Sequence, residues 1–471
     1  MLVNDVHSAL NPTAVSGIEM PSSAGDVKGI VRRAVAAHES LCVCGARHAM
    51  GGQQFAAGRS LVDMRGMSRV LSMDQERGLV TAESGIAWPA LIGGYLALQR
   101  EAVPRAEPRW GIAQKQTGAD ELTLGGALAA NAHGRGLKMP PIVADIESFR
   151  IVTAQGEALQ CSRSENPDLF SLAIGGYGLF GIVTDVTLRL VPRVPVRRVV
   201  RMIDIDDAVN AARRRIEAGF TYGDFQFDID PSSRDFLTKG VFSCYEPAPG
   251  AVPPARVAEL SPQDWERLLL LAHTDKPAAF TRYAQHYLST DGQLYWSDTH
   301  QLGTYLDGYH ERIDAALGSP CRCSEMISEL YVPHDRLIDF LHAAARTLAE
   351  RGADVIYGTI RLIRQDSDTF LPWARQDQAC VIFNLHVRHT PEGIHHAAGS
   401  FRALIDLALE RSGSFFLTYH RWATRDQLLA AYPQIPEFLA RKRHLDPAGT
   451  FRSDWHDWLC RTVFGGRGDV T

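Results

Sequence analysis

Leu122-Thr-Leu-Gly-Gly-Ala-Leu-Ala-Ala-Asn-Ala-His-Gly-Arg135 is the stretch on which the fold of this chain turns. The Gly125-Gly126 pair opens a run of small residues ending in His133-Gly134, so backbone with almost no side-chain bulk can lie against a large planar or anionic ligand. His133 presents one titratable ring beside that backbone. The pattern is that of a cofactor cradle next to a reactive group.

A second segment supplies the complementary half. Leu41-Cys-Val-Cys-Gly-Ala-Arg-His-Ala-Met-Gly-Gly-Gln53 starts as a short apolar strand and breaks into a glycine-punctuated loop holding Arg47 and His48. Successive amides in such a loop form a nest for a diphosphate. Further strands bounded by glycine are expected at Ser60–Met64 and Gly78–Gly85, then at Ile146–Thr153, Glu157–Cys161 and Ile182–Val191, with a helix over Pro167–Ile174. Gly176-Tyr-Gly-Leu-Phe-Gly181 fits G-x-G-x-x-G, but it follows a helix and precedes a strand. That is the reverse of the order a Rossmann unit needs, so NAD binding is not read from it. Pro192-Arg-Val-Pro195 marks a boundary. Beyond it helices at Asp206–Ala218, Trp265–Leu271 and His334–Arg351 alternate with strands at Tyr222–Ile229 and Val381–Val387, with a loop at Pro247–Pro254. This is an α+β pattern suited to a sheet with helices on one face.

Composition bounds the rest. In 471 residues, 45% hydrophobic, no apolar run approaches the roughly 20 residues of a membrane span. The net charge of −5, with acid and base mixed along the chain, argues against nucleic acid or an anionic membrane as the main partner. Met1-Leu-Val-Asn-Asp-Val-His7 has neither a basic nor an apolar leader region, and a cytoplasmic location is expected. Eight cysteines include the pairs Cys42/Cys44 and Cys321/Cys323, but one intervening residue and no zinc-like partner spacing make them buried reduced thiols rather than a metal or disulfide framework. No metal is expected, and nothing in the sequence reports the oligomeric state.

Together the two glycine-rich segments resemble the FAD-binding domain of the vanillyl-alcohol oxidase superfamily, the PCMH-type fold. Leu122–Arg135 looks most like the decaprenylphosphoryl-ribose oxidase stretch, and Gly45–Gln53 looks more like cytokinin dehydrogenase and the sugar and polyol oxidases. The resemblance continues through Asn166-Pro-Asp-Leu-Phe170, Gly175–Val183 and Leu445-Asp-Pro-Ala-Gly-Thr-Phe-Arg-Ser-Asp454. It implies an FAD-binding domain over residues 11–195, an α+β substrate (cap) domain over 196–400, and a C-terminal segment, 401–471, that returns to the flavin. Flavin-binding positions carry over onto Cys44, Gly45, Ala46, Arg47, His48, Ala49, Met50, Gly52 and Gln53, onto Gly118, Thr123, Gly125, Gly126, Asn131 and His133, and onto Ile182 and Phe416.

Gly45-Ala-Arg-His48 matches the loop in which histidyl-flavin members join a histidine to the flavin 8α-methyl; the alternative is a His48 that only hydrogen-bonds the diphosphate. No cysteine between Pro104 and Leu122 offers a second bond. His133 matches the active-site histidine of the sugar-oxidising relatives, able to orient or deprotonate an alcohol. Phe415-Phe-Leu-Thr-Tyr-His-Arg-Trp422 stands where the sugar oxidases carry an active-site lysine, so that role falls to Tyr419 or His420. Thr359-Ile-Arg361 resembles the Glu-x-Arg pair of alditol oxidases with threonine for glutamate, leaving Arg361 to meet a substrate hydroxyl or the reduced flavin. The resemblance implies hydride removal from the CH–OH of a sugar, polyol, lactone or related alcohol, with oxygen or another electron acceptor closing the cycle. The alternatives are cytokinin-dehydrogenase-like oxidation of a C–N bond and a non-catalytic flavin-binding protein.

Overall fold

Strand Leu41–Cys44 lies parallel to Ser60–Asp63, which in turn pairs with Gly17–Glu19. The computed structural model describes residues 1–104, 106–303, 306 and 308–465. Against the parallel sheet packs helix Ala24–Ala36, which starts where the Ser23 side chain accepts from the Asp26 amide and buries Val27, Ile30, Val31 and Ala34. Cys42 and Cys44 are buried with Leu61 and Phe55, as an apolar strand demands. All eight cysteines are free, although Cys321 and Cys460 are only half-buried rather than enclosed.

A five-stranded antiparallel sheet follows, in the order Ala158–Ser162, Ile146–Val152, Ile182–Arg189, Leu79–Glu83, Val70–Asp74. Helix Leu124–Ala130, the small-residue run, packs beside it. Thr123 caps this helix by accepting from the Gly126 amide, and Asn131 ends it in the left-handed conformation with φ 50°. Helix Pro167–Ala173 leads through the Gly175–Gly181 turn into strand Ile182–Arg189, the helix-then-strand order that rules out a Rossmann unit there.

At Pro195 the chain enters an eight-stranded antiparallel sheet ordered Leu294–Trp296, Pro195–Asp204, Lys239–Pro247, Tyr222–Phe227, Val355–Ile363, Gln378–Arg388, Cys323–Pro333, Ser414–Phe415. The expectation of helices on one face is corrected. Val241 and Phe242 are consecutive in one strand and so point to opposite faces. Val241 packs with Val200 against helix Lys276–Ser289, whereas Phe242 lies under Arg215 of helix Ile205–Glu217. Both faces are covered.

The C-terminal part touches both halves. Helix Pro391–Leu409 runs straight through position 400 before strand Ser414–Phe415 joins the edge of the large sheet. The chain then returns to the parallel sheet, where the Leu41 amide donates to the Thr450 carbonyl (2.6 Å) and the Arg452 amide to the Leu41 carbonyl (2.9 Å). No helix among the described residues is long and apolar enough to cross a membrane.

Candidate active site

A continuous cleft runs between the two N-terminal sheets and the large one. Its walls are the loop Cys44–Met50 with Gln53, the stretch Gln116–Ala119, Thr123, Gly125 and Gly126, the turn residues Tyr177, Gly178, Phe180 and Gly181, and, from the far side, Ile327, Phe416, Thr418 and Tyr419. Two glycines are required by closeness. A Cβ on Gly45 would collide with Thr123 Oγ1, and one on Gly125 would come within 2.8 Å of Ser84 Cβ and 3.0 Å of the Ser84 carbonyl. Arg47 takes the left-handed conformation (φ 63°), and its guanidinium reaches Asp63 at 3.3 Å. The C-terminal segment is tied to this loop by Met50 N donating to the Thr418 carbonyl at 3.0 Å and Gln53 Nε2 to that of Leu417 at 2.6 Å.

His48 lies in the cleft wall with its ring 2.7 Å, Nδ1 to Nε2, from His7. Burial, reinforced by the neighbouring His7, pushes His48 well below the usual imidazole range. His7 is pushed down to about 4, chiefly by burial.

Behind Tyr419 stands a fully buried carboxylate. Glu329, from strand Cys323–Pro333, accepts from Tyr419 Oη at 2.6 Å, Tyr331 Oη at 2.7 Å and His133 Nε2 at 2.9 Å. Cys380 Sγ lies 3.7 Å from both Glu329 and His133. Burial alone pushes Glu329 upward, but the His133 charge and the hydrogen bonds from His133, Tyr419 and Tyr331 outweigh it and hold the group at about 2. Burial and the Glu329 charge push the Tyr419 phenol far above its ordinary range. The register sets Arg361 opposite Cys380, itself opposite Tyr331, on the same face. Arg361 is 5% exposed, and its Nε and Nη1 have no hydrogen-bond partner among the described residues; neither polar atom of the Gln378 side chain has one either.

The residues expected at the cofactor divide accordingly. Cys44, Gly45, Ala46, Arg47, His48, Ala49, Met50, Gln53, Gly118, Thr123, Gly125, Gly126, Phe416 and Tyr419 line the cleft. Others do not. Gly52 faces Asn11 and Arg421. Asn131 is buried, donates to Asp366 at 2.8 Å and accepts from Trp373 Nε1 at 3.0 Å. Ile182 packs with Val27, Val62 and Val152, because strand alternation sends Gly181 and Val183 to the cleft instead. His133 stands one layer behind the wall, 1% exposed. His420 is corrected outright. It follows Tyr419 and turns the other way, stacked on Phe401 and Trp422 with Nε2 3.2 Å from Ser328 Oγ, and burial pushes it down to about 3. Sequence reasoning missed Glu329, Tyr331, Gln378 and Cys380. The available signal was a pair of glutamates four residues apart, and so on one face of a strand, in Cys323-Ser-Glu-Met-Ile-Ser-Glu-Leu-Tyr-Val-Pro333.

Residues 15–162 match the family model described as an FAD binding domain. The chain carries a PCMH-type FAD-binding domain. It is 25% identical over 461 residues to L-gulono-1,4-lactone dehydrogenase of Mycobacterium tuberculosis, an alignment covering 94% of this chain and 95% of that protein. It is 29% identical over 174 residues to L-gulonolactone oxidase of Mus musculus, covering 37% of each chain. Over 231 residues it is 29% identical to cytokinin dehydrogenase 7 of Oryza sativa, covering 47% of this chain and 42% of that one. The cradle fits FAD: Gly45 sits directly on Thr123 and Gly125 directly on Ser84, closer than any side chain would allow, so two glycine-rich segments with little side-chain bulk line one cleft.

Proposed function

We propose that the protein is an FAD-dependent oxidoreductase acting on the CH–OH group of a sugar, polyol, lactone or related alcohol. The observation that carries this reading is Tyr419 at the cleft wall, hydrogen-bonded to a buried Glu329 that His133 and Tyr331 also hold. Bound FAD supplies the two-electron acceptor for hydride. The chain's own part is the proton. A phenol kept protonated cannot itself strip an alcohol, but it can relay. As hydride leaves the carbon its hydroxyl becomes strongly acidic, gives its proton to Tyr419 Oη, and Tyr419 passes its own proton to Glu329, a carboxylate that its hydrogen-bond donors keep ionised and therefore able to accept. Tyr419 and Glu329 thus take the place of the lysine of the sugar oxidases. Arg361 and Gln378, with buried donors lacking partners, receive a further hydroxyl or carbonyl oxygen of the substrate.

Within the same reading, His48 carries the flavin covalently; its place in the cleft wall beside Gly45 and Arg47 supports this. Oxygen or another electron acceptor completes turnover. Anaerobic mixing of the flavin-loaded protein with sugar, polyol and lactone substrates, against a matched panel of amines, tests the reading. Flavin bleaching by hydroxyl compounds alone is expected. Bleaching by amines alone would replace it with C–N oxidation, and bleaching by neither with a non-catalytic flavin protein.

A further inference from the structure

A second buried glutamate lies on the same face of strand Cys323–Pro333 as Glu329, four residues away and therefore about 13 Å along the strand. Glu325 pairs in register with His386, and His273, in the last turn of helix Pro262–Thr274, comes down onto both. The Glu325 and His273 side chains are each 3% exposed. We propose that His273, Glu325 and His386 form a binding site for a divalent transition-metal ion, for which Zn²⁺ is the fitting probe.

Geometry separates this cluster from the one at Glu329. There the contacts are ordinary hydrogen bonds of 2.6 to 2.9 Å. Here Glu325 Oε1 lies 3.2 Å from His273 Nε2 and 3.5 Å from His386 Nδ1, and both ring nitrogens are buried without a partner in hydrogen-bonding geometry. Bonds of about 2.0–2.1 Å from a tetrahedral zinc to nitrogen and oxygen imply ligand-to-ligand edges of about 3.3 Å, close to both edges that Glu325 Oε1 makes with the two ring nitrogens. The three ligand atoms all lie within 4.8 Å of one another. Two imidazoles and a carboxylate form a common zinc ligand set that leaves a fourth position open. His386 is 13% exposed, so water has access to that position. The other carboxylate oxygen is already oriented: Glu325 Oε2 accepts from His310 Nδ1 at 2.6 Å and from Tyr309 Oη at 2.7 Å, the outer hydrogen bonding expected of a ligating carboxylate. An ion here joins two strands of the large sheet to helix Pro262–Thr274.

The test starts with flavin-loaded protein stripped by a chelator, re-equilibrated with Zn²⁺ and freed of excess, with metal and protein quantified together. Stoichiometric zinc in the wild type is expected, with loss of that equivalent in the His273→Asn/His386→Asn double variant and in Glu325→Gln at unchanged flavin content. Zinc that is absent from the wild type, or retained equally by the variants, overturns the proposal. Should the variants fail to fold, Co²⁺ titration of the stripped wild type decides. Ligand-field bands of a four-coordinate ion support the site, and a six-coordinate aquo spectrum rejects it.

Discussion

Tyr419 and His420 are neighbours with opposite fates, and the difference is one of direction rather than chemistry. Tyr419 points at Glu329 and the cleft, while His420 points at Phe401 behind it. Tyr419→Phe is therefore expected to slow flavin reduction by about 10²–10⁴, the usual contribution of a positioned acid or base, while leaving flavin bound. Glu329→Gln should match it, because the amide cannot take the proton. His133→Ala should slow the same step less than Tyr419→Phe does and shift its pH profile, since the ring acts through Glu329. Stopped-flow bleaching at several pH values reads all three, and wild-type rates in Tyr419→Phe would remove the relay. His48 has a simpler readout. Yellow colour should stay with wild-type protein after acid precipitation and leave with the supernatant from His48→Ala; colour lost from the wild type would show a noncovalent flavin.

At the scale of elements, the short helix Leu124–Ala130 is shaped by what its glycines avoid. Gly125→Ala drives a methyl against the Ser84 carbonyl and side chain, so flavin content per chain should fall. Gly93, inside helix Trp88–Ala102, has nothing within 4 Å of an added Cβ. Gly93→Ala is expected to stabilise by about 0.5–1 kcal/mol with flavin content unchanged. Flavin absorbance against thermal melting separates the two. Elements of this kind were legible because their signal is local: glycine spacing and strand alternation placed the Cys44–Gln53 loop, the Leu122–Arg135 cradle and the strand Ile182–Arg189 near where they stand, although the helical form of Leu124–Ala130 was not read. Glu329, Gln378 and Cys380 were not legible, nor were His273, Glu325 and His386. They meet only through the register of strands far apart in the chain, and no short-range pattern encodes that pairing. Ile182 and His420 went wrong for a third reason, because a one-residue step reverses which face a side chain occupies.

The whole molecule holds several histidines in places where charge is disfavoured. His7 and His420 are pushed down to about 4 and about 3, and His48 and His300 well below the ordinary range, in each case chiefly by burial. The unfolded chain binds these protons near pH 6.5 and the folded chain does not, so the stability they represent is full above that value and is lost as pH falls toward the folded values. For His420 alone the loss between pH 7 and pH 5 is about 2 kcal/mol. His420→Phe, which keeps the stack on Phe401 and Trp422, should flatten the pH dependence of chemical denaturation by that amount without altering flavin reduction; an unchanged slope would show that His420 titrates normally. Glu329 adds a separate loss at lower pH, from its unfolded range near 4.5 down to about 2. The stitch between the ends of the chain has a temporal consequence. Met50 and Gln53 tie the Cys44–Gln53 loop to Thr418 and Leu417, more than 360 residues later. These two bonds can form only after nearly the entire chain has left the ribosome, so this wall of the cleft is completed late in synthesis.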